Sequence, residues 1–294
     1  MRKVQPAFGF ALVCFSVFQI STAQAQFVPP IEERGGDDTY TQYYAVHDPL
    51  KPASGFRGPQ ELWGDLEKTS SDLIKLLQFD FSQRPLPMPR EPYSRRQHFG
   101  DWVDDPRDTN CYNTRAKVLM RDSTRPVVFR SNPCVVDAGE WHEPYLGKTH
   151  RLAKDVQIDH LVALSNAYTT GASYWSWPMR CLYANYLGNA FHLVTADGRA
   201  NASKGARTPA DWMPQNRAVT CQYLSFWLRV KLIWGLALGM REATAIQNLA
   251  RSSGCSVEDF NYSESELKNQ RQIMAANMDL CSRLRPRIEA EPAP

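Results

Sequence analysis

Apolar residues return at helical spacing most clearly in one late stretch, where Tyr223, Phe226, Trp227, Val230, Ile233 and Trp234 recur every three or four positions. This predicts a helix over about 217–236 with one core-facing side. Gly235 and Gly239 mark its end, and a shorter helix is expected over 241–250. Further helices are expected over 61–79, 114–121 and 264–278. Strand character is found at 127–129 and 134–136, around a turn at Asn132-Pro133, and at 156–158 and 190–196. The last two are expected to pair antiparallel. Asp197-Gly198 then reads as a turn leading into a helix over 199–206, which Pro209 stops.

The start of the chain follows a different pattern. Arg2 and Lys3 precede an apolar run over 8–20 and then Ala23-Gln24-Ala25, as in a secretory signal peptide cleaved after Ala25. The run is short of the ~20 apolar residues that a membrane span needs, so no membrane association is expected once it is removed. The expected organisation is signal peptide 1–25, a lead-in over 26–92 with one helix and a Pro-rich linker, a main domain over 93–254, and a polar helical or disordered tail over 255–294. Cys111, Cys134, Cys181, Cys221, Cys255 and Cys281 remain after cleavage. An even count in an exported chain points to disulfides, with pairing between neighbours along the chain as the working expectation. The formal charge of +3 includes Arg2 and Lys3. Any surface for nucleic acid must therefore be local, because the mature chain is nearly neutral.

Chemistry concentrates between Asp155 and Met213. Asp159 and His160 end a short strand, and adjacent residues of a regular strand face opposite ways. Both can serve one site only if the strand ends or bulges there. Asn201 and Lys204 lie three apart on the following helix and share a face. Hydrolysis of a phosphodiester needs an activated water, charge neutralisation and a stabilised leaving oxygen. His160 suits the general base. Asp159 and Asn201 offer oxygen ligands to one hard cation such as Mg²⁺, and Lys204 offers a point charge to the phosphate. Arg180 either grips a phosphate or makes a structural ion pair. His192 and Trp212 read as packing residues. Competing motifs fail: the first glycine of a P-loop ending at Gly147-Lys148-Thr149 falls on His142, and Leu146 replaces the second histidine of a zinc-peptidase pattern begun by His142-Glu143.

The ordered runs IDHLVALSNAY, TGASYW, RCLYAN, NAFHLV, NASKG and PADWMP resemble the HNH nucleases of the DUF1524 group, related to the C-terminal part of the GmrSD restriction enzymes. Upstream, Phe99-Gly100-Asp101-Trp102, Cys111 with Thr114-Arg115, and the run from Gly139 to Tyr145 are similar to exported members. The resemblance implies an α+β fold, with a ββα-metal (HNH) core embedded in a mainly helical domain with short strands. It implies His160 as base and Asp159 with Asn201 as ligands of one Mg²⁺ or Mn²⁺. Asn201, in place of the second His of many relatives, favours those ions over Zn²⁺. Asn189 matches the Asn that holds the histidine-bearing loop, whereas Glu143 stands where Asp is usual. The expected activity is a secreted or periplasmic endonuclease acting on DNA, or alternatively RNA, with low sequence specificity. The alternatives are a catalytically inactive envelope or nucleic-acid-binding protein on the same scaffold, and a toxin or effector nuclease.

Overall fold

The computed structural model describes residues 91–281 together with Pro89, apart from Val257 and Asn261. The leader, the helix expected over 61–79 and the Pro-rich linker lie outside the described residues. The fold is mixed α+β with short antiparallel strands. In chain order the elements begin with α1 (Arg95–Phe99), α2 (Thr114–Asp122), β1 (Val128–Phe129), β2 (Val136–His142), β3 (Thr149–Leu152) and β4 (Val156–His160). After these come α3 (Leu164–Thr169), α4 (Trp177–Ala184), β5 (Leu193–Asp197), α5 (Gly198–Lys204), α6 (Thr220–Ile233), α7 (Met240–Ser252) and α8 (Glu264–Ala276).

The strands form two sheets, a three-stranded one in the order β1-β2-β3 and the ribbon β4-β5. Strand β2 extends well beyond the short strand expected at 134–136. Its register shifts between Ala138 and Trp141, and Gly139 lies in the irregularity. A Cβ there would stand 2.7 Å from the Trp141 ring and 2.8 Å from Ser123 Oγ, so this close approach requires glycine.

The ribbon divides two apolar cores, and period-2 alternation decides which residue faces which. Val156, Ile158 and Leu193 join Val118, Leu119 and Trp141 in the smaller core. On the other face, Val194 and Ala196 pack towards the larger core, which contains Tyr145, Tyr183, Tyr186, Trp227 and Trp234. Helix α6 supplies much of that core, as its periodicity predicts. The polar segment after Cys255 also packs there: Leu267, Met274, Leu280 and Cys281 belong to the same cluster.

One of the three disulfides departs from neighbour pairing. Cys111–Cys134 and Cys221–Cys255 each join consecutive cysteines, as expected, but Cys181 bonds Cys281. The reason is topological: the C-terminal segment returns to α4, so Cys281 meets Cys181 across the core, and the end of α7 meets the start of α6. Among the described residues, no helix is long and apolar enough to cross a membrane.

Candidate active site

Strand β4 pairs with β5 in unbroken register, from Val156 opposite Asp197 to His160 opposite Leu193. There is no bulge. The strand ends at His160, yet Asp159 and His160 leave opposite faces of the ribbon and meet different partners. Helix α5 follows β5 directly. The expected turn at Asp197-Gly198 is instead its start, because Asp197 Oδ1 caps it by accepting the amides of Arg199 and Ala200. The helix runs back along β4. Gln157 and Asp159, two apart on one strand face, meet Asn201 and Lys204, three apart on one helix face.

Asp159 is buried and fully engaged. Tyr145 donates its hydroxyl to Oδ2 at 2.5 Å. The Lys204 ammonium lies 3.1 Å from Oδ1 and 2.8 Å from Oδ2, and donates to the His160 carbonyl oxygen at 3.0 Å. Lys204 is completely buried, which corrects its expected position facing a phosphate. An ammonium stripped of water needs the carboxylate beside it, and the pair balances its charge internally. Burial raises the Asp159 carboxyl above its ordinary range, against the opposing pull of Lys204 and Tyr145. The Tyr145 hydroxyl, raised well above 10.0 by burial and by Asp159, stays protonated and able to donate.

Tyr145 is delivered by a loop organised around Glu143. That carboxylate is fully buried and accepts the backbone amides of Tyr145, Leu146, Lys148 and Asp197. Glu143 therefore ties the loop to the end of β5. Trp212 closes the same region as a packing residue, edge-to-face with Tyr145 and with ring centroids 5.1 Å apart.

His160 is held on the opposite side. Its Nε2 donates to the Ala184 carbonyl at 2.9 Å, and its ring lies parallel to Trp102, with centroids 5.3 Å apart and planes 2° from parallel. His192 is held similarly, with Nε2 2.7 Å from the Tyr183 carbonyl. Both acceptors come from the last turn of α4, where helix carbonyls lack intrahelical partners. Burial lowers the His160 pKa well below 6.5, and His192, Arg95 and Lys204 push the same way. The imidazole is neutral at neutral pH. With Nε2–H on Ala184, the lone pair is on Nδ1, which makes no hydrogen bond among the described residues. His192, brought down to about 3 by burial, is a neutral packing residue.

Asn189 lies at the entrance to β5. Its Oδ1 accepts the amides of Phe191 and His192, and its Nδ2 donates to Gln270 of α8 at 2.7 Å. The His192 carbonyl in turn accepts the amide of Leu161, the residue after His160. Asn189 thus touches the histidine-bearing segment at one remove. Arg180 is held by backbone: its guanidinium donates to the carbonyls of His98 and Trp175.

Asp159 and Asn201, on two adjoining elements, both carry side-chain oxygens, the donor type that a hard divalent cation takes. Asn201 Nδ2 is bonded to Gln157 Oε1 at 2.7 Å, so its Oδ1 remains as the donor atom. No direct contact joins Asp159 to Asn201 among the described residues. The group Cys221, Cys255 and Asp259 is no thiolate site, because its two sulfurs form a disulfide. A cavity of about 300 Å³ near Val103, Tyr112 and Leu280 lies apart from Asp159 and His160. Its Lys117 and Arg107 are paired with Asp108 and Asp105.

Tyr145, Trp102 and Glu143 carry contacts that residue chemistry alone did not assign. Tyr145 and Glu143 stand in the WHEPY run and Trp102 in FGDW, and those motifs were the available signal.

Two comparisons bear on this geometry. Residues 115–247 match the family described as GmrSD restriction endonucleases, C-terminal domain. An uncharacterized secreted protein of Arthroderma benhamiae is 35% identical over 161 residues, which cover 55% of this chain and 76% of that protein. No solved structure matches the chain.

Proposed function

Given that the chain belongs to the family of the GmrSD restriction endonuclease C-terminal domain, we propose that it is a divalent-metal-dependent endonuclease working outside the cytoplasm. Its substrate would be DNA, with RNA as the alternative, cut with low sequence specificity. The observation that carries this reading is the setting of His160. A neutral imidazole, with Nε2–H fixed on Ala184 and its plane fixed on Trp102, presents Nδ1 as a base next in sequence to a buried carboxylate. Proton abstraction from a water needs a free lone pair on the base, which this neutral tautomer keeps on Nδ1.

In this reading β4, β5 and α5 form a ββα-metal core, in which Asp159 and Asn201 hold one Mg²⁺ or Mn²⁺. When bound, such an ion supplies Lewis-acid stabilisation to the phosphate and the leaving oxygen. The chain's own residues do the rest. Nδ1 of His160 takes the proton of the attacking water, and the Ala184 carbonyl keeps the ring in the required tautomer. Tyr145 and Lys204 fix the carboxylate of Asp159, while Asn189 braces the turn that receives Leu161. Six cysteines in disulfides and a secreted relative support an extracytoplasmic setting.

The Asp159–Lys204 pair favours one second reading, a nucleic-acid-binding protein without catalysis, since the carboxylate is already neutralised. Supercoiled plasmid and a single-stranded RNA, each incubated with Mg²⁺, Mn²⁺ or chelator, separate the two. Metal-dependent nicking that the chelator abolishes supports the nuclease. Binding without cleavage under either ion selects the second reading.

A further inference from the structure

A nuclease must neutralise its substrate's phosphate, and several cations of the elements around the site are committed elsewhere. Lys204 is buried against Asp159. Arg180 is bonded to the carbonyls of His98 and Trp175, and Arg115 to those of Ala153 and Val156. Arg121 is paired with Asp122 and bonded to the carbonyl of Leu193. Arg95 differs. It opens α1, is exposed, and forms no ion pair among the described residues. Its guanidinium carbon lies over the Trp102 ring, 5.3 Å from the centroid. The same indole lies parallel to the His160 imidazole, with centroids also 5.3 Å apart.

We propose that Arg95 and Trp102 form the substrate-phosphate subsite of this enzyme. The inference rests on the nuclease reading and adds to it the group that receives the phosphodiester beside His160. One indole touches both the base and the cation, so Trp102 fixes the distance between them. A guanidinium held over an aromatic face keeps its N–H donors in the plane of its fork, ready for two oxygens of one phosphate. Lysine lacks that fork and would serve less well. The contacts are to backbone oxygens only, which agrees with binding that takes little account of sequence.

The test uses the mature chain carrying His160→Asn, which removes the base and keeps a polar side chain beside Trp102. Binding of a labelled DNA duplex and of a single-stranded RNA is measured by anisotropy in Mg²⁺ across a salt series, with and without Arg95→Ala or Arg95→Lys. Arg130→Ala, on the loop after β1, is the control. The expected result is an affinity about tenfold weaker for Arg95→Ala, with a salt slope smaller by about 1. Arg95→Lys recovers part of the affinity, Arg130→Ala leaves it unchanged, and melting temperatures stay the same because Arg95 is exposed. Equal affinity and slope with and without Arg95→Ala would overturn the subsite while leaving the nuclease reading intact. If the His160→Asn chain binds neither DNA nor RNA, the nuclease reading falls and the subsite falls with it.

Discussion

Tyr145 is the residue on which the oxygen side of the site turns. Its hydroxyl is the one neutral donor on Asp159 among the described residues, and its ring packs edge-on to Trp212 and Tyr223. Tyr145→Phe removes the first contact and keeps the second. Partners that orient a ligating carboxylate are worth about 10–100-fold in metal affinity. Titration of the variant with Mn²⁺ is therefore expected to show weakening in that range, with the fold retained in its circular dichroism spectrum. Unchanged affinity would leave Tyr145 a packing residue. The buried histidines give a second residue-scale expectation. His160 and His192 are both lowered from 6.5, so between pH 6.5 and the lower folded values the unfolded chain binds more protons than the folded one. Stability from these two groups is fully present above pH 6.5 and falls as pH drops. Each neutral histidine costs up to about 1.4 kcal/mol per pH unit. Asp159, raised above 3.8, acts in the opposite direction, and only near the carboxylate range. Urea unfolding between pH 7 and pH 5 should show a steepening loss, and His192→Gln should reduce its slope by close to one proton. A flat profile would contradict the buried neutral assignment.

The elements were unequally legible, for physical reasons. Helix α6 shows its period because its large apolar residues recur every three or four positions, although few of its side chains are exposed. The β4-β5 pair is legible as two short apolar runs, one face of which meets each core. Helix α4 has no such signature: Trp177, Met179, Cys181, Leu182, Tyr183 and Ala184 are all buried, so no polar stripe marks its turns. That hidden helix supplies the carbonyls that hold His160 and His192, and a backbone carbonyl leaves no trace in residue identity. Asp197 misled in another way, since the same side chain suits a turn and a helix cap, and only the following amides decide between them. Lys204 was placed correctly on its helix face with Asn201, but its depth was not legible. The sequence carries the three-residue spacing, whereas burial depends on Tyr145 and Glu143 arriving from a loop about sixty residues earlier. Disulfides follow the same rule. Cys181–Cys281 spans 100 residues against 23 for Cys111–Cys134, and loop-closure entropy then favours the longer bridge, about 4.7 against about 3.4 kcal/mol. Replacing both members of each pair by Ala should therefore lower the denaturant midpoint more for 181/281. The reverse order would show that the C-terminal segment is held by packing alone.

At the scale of the whole molecule, two cores meet at one ribbon, and the candidate chemistry lies on both faces of it. The larger core side carries Asp159 with Tyr145 and Lys204, and the other carries His160 with Trp102. Helix α8 reaches the same region through Gln270, which accepts from Asn189 and from the Tyr186 hydroxyl. Residues far apart in the chain are thus needed to hold one short ribbon, and the long Cys181–Cys281 bridge secures that closure. The central claim is that this assembly activates water at Nδ1 of His160. Its most direct test is the rate of plasmid nicking under enzyme excess in Mg²⁺, with the wild-type mature chain beside His160→Ala. A general base contributes typically 10²–10⁴-fold. The wild type should nick in a metal-dependent manner and the variant should lose about that factor while still binding DNA; equal rates for the two would contradict the account.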